Sequence, residues 1–164
     1  MKTSLISKCK KIKLVITDVD GVLTDGGMYY SAKGDVMKKF FTRDGMGVTL
    51  LRKKFIPTLI ITKEKTPMVK HWAKNMKIDK LYDGILKKEL VIDKICKNYH
   101  LKHENIAYIG DDVNDLPLLK KVGFSASPND GMEIVKEKCD YICKKNGGNG
   151  AFREIADLIL KSQF

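Results

Sequence analysis

Three short runs of unbroken apolar character decide what this chain can fold into. The first runs from Lys13 to Thr17, the second from Pro57 to Thr62 and the third from Ile106 to Ile109. Apolar residues at every position, not every second one, suit strands buried on both faces, which a parallel sheet covered by helices on each side provides. The segments between them carry helical spacing. In Met46 to Phe55, Val48, Leu50, Leu51 and Phe55 suit a helix, and Lys87 to Tyr99 carries Leu90, Val91, Ile95 and Cys96 at helical spacing. Met68 to Met76 follows Pro67, a residue suited to a first helical turn. Leu81 to Gly84, Gly123 to Ala126 and Tyr141 to Cys143 read as further strands. Asn114 or Asp115 to Lys121, Met132 to Lys138 and Ala151 to Lys161 read as further helices. Strand–helix alternation with short connections predicts a doubly wound parallel α/β sheet.

Such sheets build their sites beyond the carboxyl ends of the strands. The residues standing there are Asp18 and Asp20, then Thr62, then Gly84 with Lys87 and Lys88 beyond it, and finally Asp111 with Asp112. Strand alternation sends Asp18 and Asp20 to the same side. Like charges that close repel and raise a pKa unless a cation lies between them. A lone Asp-x-Asp-Gly is also an ordinary strand-to-turn boundary, so the partners decide. Three carboxylates (Asp18, Asp20, Asp111) and no convergent histidine point to Mg²⁺, a hard ion held by a few carboxylates, waters and phosphate oxygens. Thr62 and a lysine of the Lys87-Lys88 pair are placed to hold a phosphoryl group. An aspartate can attack phosphorus itself, and a carboxylate two residues on could protonate the leaving oxygen and then activate water.

With 164 residues, 43% of them hydrophobic, the chain reads as one domain over 1–164. No apolar run reaches membrane-spanning length and the first residues lack a signal-peptide core, so no membrane partner and a cytoplasmic location are expected. Cys9, Cys96, Cys139 and Cys143 are scattered and read as reduced structural thiols rather than a zinc site. The net charge of +11 is almost all lysine; the arginines are Arg43, Arg52 and Arg153. Arginine is the preferred reader of bases and nucleic-acid phosphates, so the surplus reads as a solvated surface that attracts a small anion, with no nucleic-acid partner. From Gly26 to Phe41, aromatic and apolar residues flank a Gly34 turn and read as a β-hairpin with apolar residues on both faces. Either a second subunit or the chain's own core is the expected cover.

Together, Asp18-Val19-Asp20-Gly21-Val22-Leu23-Thr24, Thr62, Lys88 and Gly110-Asp111-Asp112-Val113-Asn114-Asp115 resemble the four motifs of the haloacid-dehalogenase superfamily of phosphotransferases. The hairpin, Arg43-Asp44-Gly45 and the closing Gly147-Gly148-Asn149-Gly150-Ala151-Phe152-Arg153-Glu154 resemble a narrower group. That group comprises the 3-deoxy-D-manno-octulosonate 8-phosphate phosphatases and relatives acting on nonulosonate (sialic-acid-like) 9-phosphates. The resemblance runs from about Lys13 to the end of the chain. It implies a Rossmann-like fold with a hairpin inserted after the first strand and no large cap, and a Mg²⁺-dependent sugar-acid phosphatase working through an aspartyl-phosphate. By that resemblance Asp18 is nucleophile and metal ligand. Asp20 is general acid/base and binds the metal through its main-chain carbonyl, and Asp111 is the third protein ligand. Thr62 and Lys88 hold phosphoryl oxygens, Lys88 also restraining Asp18, while Asp112 and Asp115 support the site. A homotetramer is implied, with hairpins assembled together and Arg153 on the glycine-rich tail reaching an adjacent site to meet the sugar carboxylate.

Two positions depart from the pattern. Lys63 stands where the family usually has glycine, and Glu64 follows where octulosonate enzymes tend to have arginine. Glu64 tilts the expected substrate towards a nine-carbon acid, although Trp72 occupies a position where a basic residue could contact such substrates. The alternative is a non-catalytic oligomerisation or regulatory module of the same fold, which would be expected to lose the four motifs.

Overall fold

The computed structural model describes residues 3–164. In chain order it runs through α1 (Thr3–Lys10), β1 (Leu14–Thr17), β2 (Tyr29–Ser31), β3 (Gly34–Met37), α2 (Thr42–Lys53), β4 (Thr58–Ile61), α3 (Pro67–Met76) and β5 (Lys80–Tyr82). Then come α4 (Ile92–Tyr99), β6 (Ile106–Ile109), α5 (Leu116–Leu119), β7 (Phe124–Ser127), α6 (Glu133–Lys136), β8 (Tyr141–Ile142) and α7 (Ala151–Gln163). Six strands form one parallel sheet in the order β5-β4-β1-β6-β7-β8. The reversal of order around β1 places the topological switch point where Asp18 leaves the sheet.

Every residue of β1, β4, β6 and β7 is buried, as the unbroken apolar runs require. Alternate residues feed two cores. Val15, Ile60, Ala107 and Ile109 pack with residues of α1, α2, α3 and α7, whereas Leu14, Ile16, Leu59, Ile61 and Tyr108 pack with α4, α5 and α6. The sheet is therefore wound on both faces. The β2–β3 hairpin forms a separate two-stranded sheet, and no large cap is present among the described residues.

The sequence boundaries need correcting in four places. The lysine-rich start forms α1, a helix not expected there; Gln163 holds it by donating to the carbonyls of Cys9 and Ile12 at 2.8 Å each. α2 begins at Thr42 rather than Met46, which puts Arg43 and Asp44 inside its first turn. The expected helix from Lys87 is broken into a 3₁₀ turn, Lys88–Leu90, and α4. The one from Asn114 is likewise a 3₁₀ turn, Val113–Asp115, followed by α5. Pro67 does open α3, behind Thr66, whose hydroxyl accepts from the Val69 amide at 3.2 Å.

Candidate active site

Parallel pairing fixes the first carboxylate. Thr17 pairs with Ile109, the Asp18 amide donates to the Ile109 carbonyl at 3.0 Å, and both strands then open into loops side by side. Asp18 and Asp111 are thus delivered to one point by the sheet itself. Oxygens of Asp18, Asp111 and Asp115 lie within 4.8 Å of one another.

Asp115 organises this cluster. It is fully buried; its Oδ1 accepts from Lys88 Nζ at 2.7 Å and from the Tyr108 hydroxyl at 2.5 Å. Its Oδ2 accepts from the amides of Asp111 at 3.0 Å and Asp112 at 3.4 Å. With both oxygens committed, Asp115 is a scaffold for the loop that carries Asp111 rather than a free ligand. Lys88, also fully buried, bridges it to Asp18 Oδ2 at 2.8 Å. From the sequence Asp115 has only a supporting part, and Tyr108 looks like any other buried residue of its strand.

The three carboxylates and one ammonium leave two negative charges uncompensated. Burial, and then repulsion from its neighbours, pushes Asp111 up to about 8. Burial likewise raises Asp18 to about 7, against the pull of Lys88. This is the electrostatic setting a divalent cation relieves. The donors are oxygens only, which suits magnesium, and Asp18 and Asp111 are the carboxylates placed to hold it. The loop after Asp20 comes close as well: Gly21 adopts φ +81° and a Cβ there would stand 2.0 Å from Asp111 Oδ2. No side chain fits between that backbone and the carboxylate.

Asp20 corrects the sequence expectation. It is not among the three carboxylates gathered at Asp18, and its Oδ1 faces the hairpin, where Lys38 Nζ lies 2.7 Å away. β1 ends at Thr17, so the alternation assumed for both aspartates stops before it reaches Asp20. Thr62 is buried at the end of β4, the strand beside β1, and its hydroxyl accepts from the Glu64 amide at 3.3 Å. Lys63 and Glu64 follow it, both exposed. Lys87 is exposed too, so Lys88 is the buried one of the pair.

Residues 147–150 are seated on the loop that follows Asp20 in the same chain. The Gly148 amide donates to the Val22 carbonyl at 2.9 Å, and a Cβ on Gly147 would fall 1.8 Å from the Gly21 carbonyl oxygen. Arg153 stands apart from the carboxylates in a groove of about 800 Å³ with Arg43, Lys144 and Lys145, its Nε 2.8 Å from Asp157. Trp72 stacks on Phe40 with ring centroids 4.8 Å apart, which fixes the ring against the hairpin's base.

Residues 53–155 match the model of the haloacid dehalogenase-like hydrolases. The chain belongs to this family. Among curated members, it is 38% identical over 156 residues to the 3-deoxy-D-manno-octulosonate 8-phosphate phosphatase of Haemophilus influenzae, covering 95% of this chain and 87% of that one. The Escherichia coli K12 protein of the same name is 36% identical over 163 residues, covering 99% and 87%. Among solved structures, the Moraxella catarrhalis phosphatase in complex with magnesium, phosphate and KDO superimposes with a TM-score of 0.95 at 37% identity, covering 99% of this chain and 94% of that one. This haloacid dehalogenase-like hydrolase is accordingly a phosphoric monoester hydrolase, and its cluster of Asp18, Asp111 and Asp115 could hold a metal ion such as the magnesium of the Moraxella structure.

Proposed function

We propose that the protein hydrolyses 3-deoxy-D-manno-octulosonate 8-phosphate, with Mg²⁺ held by Asp18, Asp111 and the main-chain carbonyl of Asp20. The observation that supports this most directly is the buried Asp18–Lys88–Asp115 chain at the switch point, with Asp111 against it. Bound there, the ion would neutralise phosphoryl oxygens and lower the repulsion between Asp18 and the incoming phosphate. Asp18 attacks phosphorus to give an aspartyl-phosphate while Asp20 gives its proton to the departing sugar hydroxyl. Asp20 then takes a proton from water as the water's oxygen attacks phosphorus, which releases inorganic phosphate and restores the Asp18 carboxylate. Lys88 keeps Asp18 in line, and Thr62 and Lys88 hold phosphoryl oxygens through both steps.

Glu64 favours a second reading, a nonulosonate 9-phosphate, since its exposed carboxylate stands two residues past Thr62 where a substrate hydroxyl could be read. Arg153 is the candidate for the sugar carboxylate of a neighbouring site in a homotetramer. The hairpin supports assembly: Met28, Tyr30, Val36 and Met37 are 66%, 64%, 57% and 51% exposed, a patch that self-association would cover. The free thiols of all four cysteines support a cytoplasmic setting. Phosphate release from octulosonate 8-phosphate and a nonulosonate 9-phosphate, measured in parallel with and without Mg²⁺, tests the reading. Turnover of neither, or turnover indifferent to chelation, would overturn it.

A further inference from the structure

We propose that Lys38 is the positioning residue for Asp20, and that the hairpin therefore forms a working part of its own subunit's active site. The proposal rests on the reading of Asp20 as acid/base. Lysine is almost never buried without a partner, yet the Lys38 side chain is only 3% exposed, directly after Val36 and Met37, which are apolar and open to solvent. The usual order is inverted: the hairpin exposes its apolar residues and buries its cation. What Lys38 gains is Asp20 Oδ1 at 2.7 Å, with Asp35 Oδ2 at 3.6 Å behind it. Thr24 Oγ1 lies 3.5 Å from the same Asp20 oxygen. The segment cannot drift, because Thr24 and Phe40 form a backbone bridge and Phe40 is stacked on Trp72. One Asp20 oxygen is thus held towards the hairpin, and the other is left for the leaving oxygen and the water.

The experiment compares kcat/KM, which reports the steps up to the phospho-enzyme, for octulosonate 8-phosphate and for p-nitrophenyl phosphate. Nitrophenolate leaves without needing a proton, so only the sugar ester depends on an oriented Asp20. Lys38→Met is expected to lower kcat/KM for the sugar ester by about a hundredfold and for the nitrophenyl ester by less than about fivefold, with Lys38→Arg restoring most of the loss. Equal losses on both esters would make Lys38 merely structural and overturn the proposal. Asp20→Asn, in which Lys38 keeps Asp35, and Asp20→Asn/Lys38→Met, in which position 20 carries no charge for Lys38 to hold, carry the test if Lys38→Met alone does not fold. Equal activities of these two support coupling through Asp20, and a further tenfold loss in the double variant overturns it. If Asp20→Asn turns over the sugar ester at the wild-type rate, the acid/base reading itself falls and the proposal with it. If Asp20→Asn is impaired and Lys38→Met is not, the proposal alone falls.

Discussion

Lys88 Nζ stands between Asp18 Oδ2 at 2.8 Å and Asp115 Oδ1 at 2.7 Å, one ammonium shared by two buried carboxylates. The link makes the orientation of Asp18 depend on a residue at the start of α5. Asp115→Asn leaves Lys88 paired with Asp18, but its amide nitrogen faces donors where a carboxylate oxygen accepted, and each buried polar group left without its partner costs about 1–3 kcal/mol. Asp115→Asn should therefore lose roughly that much in urea unfolding and lower kcat severely. Tyr108→Phe removes a single hydrogen bond to the same carboxylate, costs about 1.5–3 kcal/mol, and should retain most of the activity. Comparable activity in both variants would mean that Asp115 does not act through Lys88.

Magnesium should stabilise the protein measurably, because the carboxylates of Asp18, Asp111 and Asp115 exceed the charge of Lys88 by two. A ligand that binds only the folded state adds about 2.7 kcal/mol at a hundredfold excess over Kd. Thermal unfolding with Mg²⁺ and with EDTA should show a clear rise in Tm for the wild type. Asp111→Asn should melt at or above the metal-free wild type, since it removes a repelling charge, and should show no rise with Mg²⁺. A full metal response in that variant would remove Asp111 from the ligand set.

The glycine-rich turn offers a test at a distance. Gly147→Ala would drive a methyl into the Gly21 carbonyl, where the present separation from an ideal Cβ is 1.8 Å. Both partners are backbone, so one loop must move. Because Gly21 also lies against Asp111 Oδ2, the shift passes to the metal site. The variant should fold with reduced stability and need several-fold more Mg²⁺ for half-maximal activity. An unchanged Mg²⁺ requirement, measured as rate against ion concentration, would show the turn to be independent of the site.

What could be read from the sequence, and what could not, follows from the range of the forces involved. The buried parallel strands announced themselves because each of their residues answers to burial alone, and strand-end polar residues then located Asp18, Thr62 and Asp111. Asp20 was legible as a motif residue but not in its direction, because the strand that would have aimed it stops at Thr17. Asp115 resembles any residue at a helix start until Lys88, Tyr108 and two amides are seen converging on it. Lys38 was concealed by abundance. Among 31 basic residues, spacing does not distinguish the ammonium that is buried from those that are solvated. Asp44 was hidden by a boundary: read as a loop residue before Met46, it lies in the first turn of α2 and serves another helix altogether.

That service gives the last prediction. Asp44 is fully buried and its carboxylate accepts from the amides of Arg153 at 2.8 Å and Gly150 at 3.3 Å, closing the start of α7, whose own cap residue is a glycine without a side chain to do so. The amides favour the carboxylate, but burial outweighs them and raises Asp44 from 3.8 to about 6. The folded state therefore holds this proton more tightly than the unfolded one. Stability from Asp44 is fully present below about pH 4 and lost as pH rises through about 6, by about 3 kcal/mol. Asp44→Asn keeps one acceptor and removes the titration. Subtracting the variant's unfolding free energy from that of the wild type cancels the common contributions of Asp18 and Asp111. The difference should move in favour of the variant by about 3 kcal/mol between pH 4 and pH 7, read from urea unfolding at fixed ionic strength. A difference that stays constant, or that moves in favour of the wild type, would mean that the amides at the start of α7 hold Asp44 ionised after all.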